Sequence, residues 1–124
     1  MEKMEISSIA GERSGTTILQ LKGPLTLQTL FDFQKVLRKP DLKDTIIDLT
    51  GVPYIDSAGL GTILSHWVHS QRAGTKFAIV GVSERVQVLF DLTKVGRVLP
   101  TFASIKQAEE SFSGSSSTAR AIST

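Results

Sequence analysis

The sequence predicts an α/β domain: a mixed sheet of about five strands covered mainly on one face by about four helices. From Thr45 onward, short apolar runs alternate with segments of helical periodicity, and that rhythm implies crossover connections in a largely parallel sheet. Ahead of them stand two alternating patterns close enough in sequence to pair as a hairpin. At 124 residues, 40% hydrophobic and 21% charged, the chain can bury a single core without disulfide or metal.

Residues 4–9 alternate Met4 and Ile6 with Glu5 and Ser7, and residues 17–22 alternate Leu19 and Leu21 with Gln20 and Lys22, as half-buried strands do. Two glycines in residues 10–15 suit the turn between them. Leu27, Leu30, Phe31, Gln34 and Leu37 follow at helical spacing behind Thr26, an expected N-cap, and Pro40 closes the pattern. Residues 45–49 form a β-branched apolar run. Residues 57–72 read as a helix ended by Gly74, with Leu60, Ile63, Leu64, Trp67 and Val68 as its core stripe. A strand over 77–82 precedes a helix from the Ser83 cap to Leu92, with Val86, Leu89 and Phe90 facing inward. Residues 98–101 are expected as an edge strand because Pro100 cannot donate to a ladder. Ser104 and Gln107 read as a capping box for a last helix over 105–112. The domain is expected to span residues 1–112, and the serine-rich stretch 113–124 to be a disordered tail, because it lacks the apolar residues needed to offset ordering entropy.

Charge and composition exclude several functions. The chain has no cysteine, so thiolate catalysis and cysteine-based metal sites are ruled out. Residues 1–62 hold seven basic against eight acidic side chains and residues 63–124 seven against four, balances of −1 and +3. Neither half has the clustered basic face of a nucleic-acid binder. The densest basic group, Lys35, Arg38, Lys39 and Lys43, is interrupted by Asp41 and Asp44 and reads as a solvated helix end. No apolar run is long enough to cross a membrane and residues 1–10 lack a signal-peptide core, so a cytoplasmic location with no direct membrane insertion is expected.

The informative segment is Ile46-Ile47-Asp48-Leu49-Thr50-Gly51-Val52-Pro53-Tyr54-Ile55-Asp56-Ser57-Ala58-Gly59-Leu60-Gly61. A buried strand ends, a turn follows, and Asp56-Ser57 opens a helix. Either residue could simply cap it. Gly59 and Gly61, however, each cost about 1 kcal/mol of helix propensity relative to Ala, which suggests that something approaches this backbone closely. A hydrolase using Ser57 needs a base within hydrogen-bond reach, and His66 and His69 lie about 13 and 18 Å along the same helix. The Gly-x-Ser-x-Gly elbow fails at Ile55, and Gly74-Thr75-Lys76 lacks the upstream glycine of a phosphate-binding loop. His66 and His69 share a face but lack a third ligand, and they read as part of a solvated helix face. No cofactor or metal is expected.

Asp56-Ser57-Ala58-Gly59-Leu60-Gly61, behind its strand and turn, resembles the motif of the STAS family, the sulphate transporter and anti-sigma factor antagonist domains, in its bacterial antagonist form. Gly23-x-Leu25 before the first helix and Leu89-Phe90-Asp91-Leu92 in the third match in order, so the resemblance spans about residues 4–112. It implies a non-enzymatic anti-sigma factor antagonist. Its partner would be an anti-sigma factor that is also a serine kinase of the GHKL type; Ser57 would be the residue phosphorylated, and a phosphoserine phosphatase would restore binding. The implied docking surface comprises Thr26, Asp56, Ser57, Ala58, Gly59, Gly61 and Thr62. At Thr26 the family usually carries aspartate, so here the cap is kept and a charge is lost. STAS domains also serve as subunits of lipid-transport and stress-signalling complexes, and a small serine hydrolase is the competing reading from another class.

Overall fold

The computed structural model describes residues 3–113. The hairpin expected at the start is present: β1 (Glu5–Ala10) and β2 (Thr16–Lys22) pair antiparallel with Ile9 opposite Ile18. Gly15, at φ 84, takes the left-handed conformation that closes the turn. Thereafter β3 (Asp44–Gly51), β4 (Phe77–Val80) and β5 (Thr101–Phe102) each add parallel to the strand before, in the spatial order β1-β2-β3-β4-β5. The helices α1 (Leu30–Leu37), α2 (Ser57–Ala73) and α3 (Glu84–Thr93) are the crossovers between parallel neighbours. Crossovers of one hand, always advancing in one direction, put successive helices on one face of the sheet. Among the described residues only α4 (Ile105–Phe112), which follows the last strand, returns across the opposite face.

Strand alternation divides the core accordingly. Leu19, Leu21, Ile47, Leu49 and Ile79 face α1, α2 and α3 with Phe33, Ile63, Val86 and Phe90. Ile18, Ile46, Ala78 and Val80 face α4 through Ala108 and Phe112. The expected mixed sheet, covered mainly on one face, is the one observed. No helix among the described residues is long and apolar enough to cross a membrane. Residues 114–124, nearly all of the expected tail, lie outside the described residues.

Four local expectations are corrected. The first helix starts at Leu30 with Thr29 at its N-cap; Thr26 instead begins the preceding turn, its carbonyl accepting from Thr29 and Leu30 N–H. Residues 98–101 are not a strand. A 3-10 turn occupies Val95–Arg97, entered through left-handed Lys94 at φ 63, and pairing begins only at Thr101, beyond Pro100. β4 ends at Val80, before Gly81 at φ 74. The side of α2 that is buried also differs: Gly59, Leu60, Thr62, Ile63, His66 and Ser70 are inside, Leu64 and Trp67 are half-buried, and Val68 is 41% exposed. Gly59, Thr62 and Ser70 let α2 lie close to the sheet beside the buried Leu60 and Ile63, while Leu64, Trp67 and Val68 flank that face.

Candidate docking surface at the start of α2

Asp56 organises the site. Its backbone is extended at φ −97, ψ −177, and Oδ1 accepts the Gly59 N–H at 2.9 Å as the helix cap. Its second oxygen, Oδ2, accepts the Leu27 N–H at 3.0 Å from the loop ahead of α1. The same two segments are joined along their backbones: Leu25 N–H donates to Tyr54 O at 3.1 Å and Asp56 N–H to Leu25 O at 3.2 Å. One carboxylate thus caps a helix and fastens a loop 29 residues away in sequence. Partial desolvation pushes its pKa up, but the N–H donors of Gly59, Leu27 and Ala58 together outweigh this and hold the carboxyl below its ordinary value.

Ser57 is the first residue of α2 and is exposed, with no partner for its hydroxyl among the described residues. Its immediate frame is rigid while its own side chain is free. Helix N-termini carry unpaired N–H groups and the positive end of the macrodipole, so an anion on this residue is electrostatically tolerated.

The two glycines have different reasons. A Cβ at Gly59 would collide with the Leu25 carbonyl oxygen and crowd Leu25 Cγ at 2.9 Å. The close approach that the sequence suggested there is made by the protein's own chain, so Gly59 lies beneath the docking surface. At Gly61 a Cβ would meet nothing within 4 Å. Its openness is unexplained by packing. Thr62 is also buried, its hydroxyl donating to Ala58 O at 3.0 Å, and Ala58 is half-buried. Thr26 is half-buried at the turn beside Asp56; its N–H donates to Thr29 Oγ1 at 2.9 Å and its Oγ1 accepts from Gln28 N–H at 3.3 Å. The structure therefore groups Thr26, Asp56, Ser57, Ala58 and Gly61 at one end of the helical face and places Gly59 and Thr62 inside it.

Leu27 and Phe31, which the sequence puts on the helical stripe of α1, are instead each 60% exposed and stand beside this group, Leu27 ahead of the helix altogether. Their signal was present: the apolar positions 27, 30, 31 and 37 are more than α1 needs to face the sheet. Arg85, in the first turn of α3, stacks over the Tyr54 ring at 4.8 Å and extends the surface toward α3.

The histidines require a correction. His66 is 94% shielded rather than solvated: it packs edge-on against Phe77 at 5.6 Å, with the exposed His69 ring 5.9 Å away. Burial, reinforced by the neighbouring His69, lowers its pKa to about 4, and its Nε2 has no hydrogen-bond partner among the described residues. Because Ser57, His66 and His69 share one continuous helix, the separations of about 13 and 18 Å stand, and neither imidazole can activate Ser57.

Similarity to known proteins agrees with this architecture. The chain is 32% identical over 78 residues to the anti-sigma-B factor antagonist of Staphylococcus epidermidis, covering 60% of this chain and 72% of that protein. Its fold is similar to a Thermotoga maritima protein assigned as an anti-sigma factor antagonist, with TM-score 0.75 and 23% identity over 86% of this chain and 93% of that one. It is also similar to the Bacillus cell-fate determinant SpoIIAA: the unphosphorylated form gives TM-score 0.69 at 14% identity, over 86% of this chain and 94% of that one. The STAS domain model matches residues 8–108, and the chain belongs to the STAS domain family.

Proposed function

We propose that this protein is an anti-sigma factor antagonist, a binding module whose surface at the start of α2 takes up an anti-sigma factor and so frees a sigma factor. The observation that carries the reading is the state of Ser57: exposed and unpartnered, at the tip of a helix whose adjoining carboxylate is fully engaged in holding the frame. Phosphorylation of Ser57 by the partner, acting as a serine kinase of the GHKL type, ends the interaction, and a phosphoserine phosphatase restores it. Two considerations support this. Relatives that match in sequence include anti-sigma-B factor antagonists, and a structural neighbour, SpoIIAA, has been solved in a phosphorylated form as well as an unphosphorylated one.

The test is reconstitution with the cognate anti-sigma factor and ATP. The expected outcome is a stable complex without ATP and, with ATP, phosphate mapped by mass spectrometry to Ser57 together with release of the partner. Failure to form any complex, or phosphate on another residue, refutes the reading. Thr26 favours a second one. Without the carboxylate that the family usually carries there, the same surface suits a partner that binds constitutively, as a STAS subunit of a stress-signalling or lipid-transport complex would; Ser57 would then stay unmodified.

A further inference from the structure

Between α1 and α2 runs an open groove of about 1080 Å³, at the upper end of the size range of small-molecule sites. It extends from Ala58 to Ala73, about 22 Å at the helical rise per residue. Its positive charge is confined to one end of that length. Leu27, Leu30 and Phe31 form the walls near the start of α2, and Leu37, Pro40 and Leu42 continue the apolar lining to the far end; the cations Arg38, Lys39 and Lys43 are gathered at that far end alone, where α1 gives way to the loop before β3. Among the described residues no carboxylate lines the groove. None of those three cations has an ion-pair partner among the described residues. Asp44, the acid nearest Lys43 in sequence, is engaged elsewhere: its Oδ2 pairs with Arg13 Nη1 at 2.6 Å, and its Oδ1 accepts the Lys76 N–H at 2.8 Å. Phe31 and Leu27 are each 60% exposed, so the apolar end is uncovered. The buried His66, its Nε2 unsatisfied, lies in the lining as well, adding a polar group without a carboxylate's charge.

We propose that this groove binds a single-chain anionic amphiphile, a long-chain carboxylate of the fatty-acid type. Its hydrocarbon chain lies against Leu27, Leu30 and Phe31, and its head is held by Arg38, Lys39 and Lys43. Burial of apolar chain supplies the driving force, and the unpaired cations select the sign of the head. An acidic amphipathic helix from a partner is the weaker match, because such a helix distributes charge along its whole length while the cations here are confined to one end.

The experiment uses the full chain without any partner protein. Palmitate, kept below its aggregation concentration, is titrated calorimetrically beside hexadecylammonium, which has a comparable chain and the opposite charge, and octanoate, which has the same head and a short chain. Saturable one-to-one binding of palmitate is expected, with at least about tenfold weaker binding of both controls. Lys39→Glu/Lys43→Glu and Leu27→Asp/Phe31→Asp should each weaken palmitate by at least about tenfold while circular dichroism stays unchanged, since all four side chains are exposed. Should the apolar pair disturb folding, the lysine pair still decides. The proposal is overturned by non-saturable binding, by equal affinity for the two head charges, by full affinity in folded variants, or by an acidic amphipathic peptide occupying the groove where palmitate does not.

Discussion

Asp56 and Ser57 are adjacent and do opposite things: one spends its side chain on the fold, and the other leaves its side chain to solvent. Replacing Asp56 by Ala removes both the Gly59 cap and the Leu27 tie, so it should cost about 1–2 kcal/mol in urea unfolding at neutral pH. Its carboxyl lies below the ordinary value of 3.8 in the folded state. The stability it contributes is therefore present above that value and lost as pH falls through the lower folded one. The gap between wild type and Asp56→Ala should stay constant across neutral pH and close in strong acid; a gap that persists there would mean that the protonated side chain still caps the helix. His66 titrates in the other window. Its folded pKa is about 4 against an ordinary 6.5, so the unfolded chain binds a proton that the folded one refuses. Wild-type stability should fall between pH 6.5 and 4, by at most about 1.4 kcal/mol per pH unit. His66→Leu should flatten that slope and, by removing an unsatisfied Nε2, raise stability at the acidic end. Parallel slopes for the two proteins would place the acid sensitivity elsewhere.

At the scale of elements, α2 shows what can and cannot be read from a sequence. Its span, the Asp56 cap and the Gly74 terminus follow from local chemistry, and so do the Ser83 and Ser104 caps, whose hydroxyls accept from Val86 and Gln107 N–H. The inner face of α2 does not, because Gly59, Thr62, His66 and Ser70 are buried by how closely the helix is drawn to the sheet, which is a tertiary outcome. The start of α1 departs from the local expectation for a similar reason. Thr26 and Thr29 are equally good caps locally, and the choice depends on Leu27 N–H being claimed by Asp56 from across the fold. The capping box at α4 is shifted by one residue: Gln107 Oε1 accepts from Ala103 N–H, ahead of Ser104. The paired glycines looked alike in sequence, and the structure separates them with opposite signs. Gly59→Ala forces a methyl group against the Leu25 carbonyl and should destabilise by about 2 kcal/mol or more. Gly61→Ala enters open space and should stabilise by up to about 1 kcal/mol through helix propensity. Thermal unfolding of the two variants checks both; equal effects would show that Leu25 yields without cost.

For the whole molecule, the decisive property is that Ser57 can change charge without the fold having to respond. The strands that carry the domain run beneath three helices, and the first turn of α2 is fastened by Asp56 to the loop before α1, so no element depends on the Ser57 hydroxyl. A phosphate there adds about −1.5 to −2 charges beside the ionised Asp56 and over the N–H groups of a helix start. Repulsion and helix-end attraction oppose each other, and both anions can keep their water while the surface is free. Within an interface that compensation is lost, since a hydrated dianion must be stripped of solvent or face the partner's own charges. Phosphorylated and unphosphorylated protein should therefore give amide spectra that differ only near residues 55–61, while affinity for the anti-sigma factor falls by at least about two orders of magnitude, roughly 2.7 kcal/mol. Ser57→Ala should bind as the unmodified protein does, and Ser57→Asp, carrying less charge than phosphate, should weaken binding only part of the way. Amide shifts spreading into the sheet would replace this surface switch with a conformational one. Equal affinities for the phosphorylated protein and both variants would leave Ser57 a helix-start residue with no part in partner exchange.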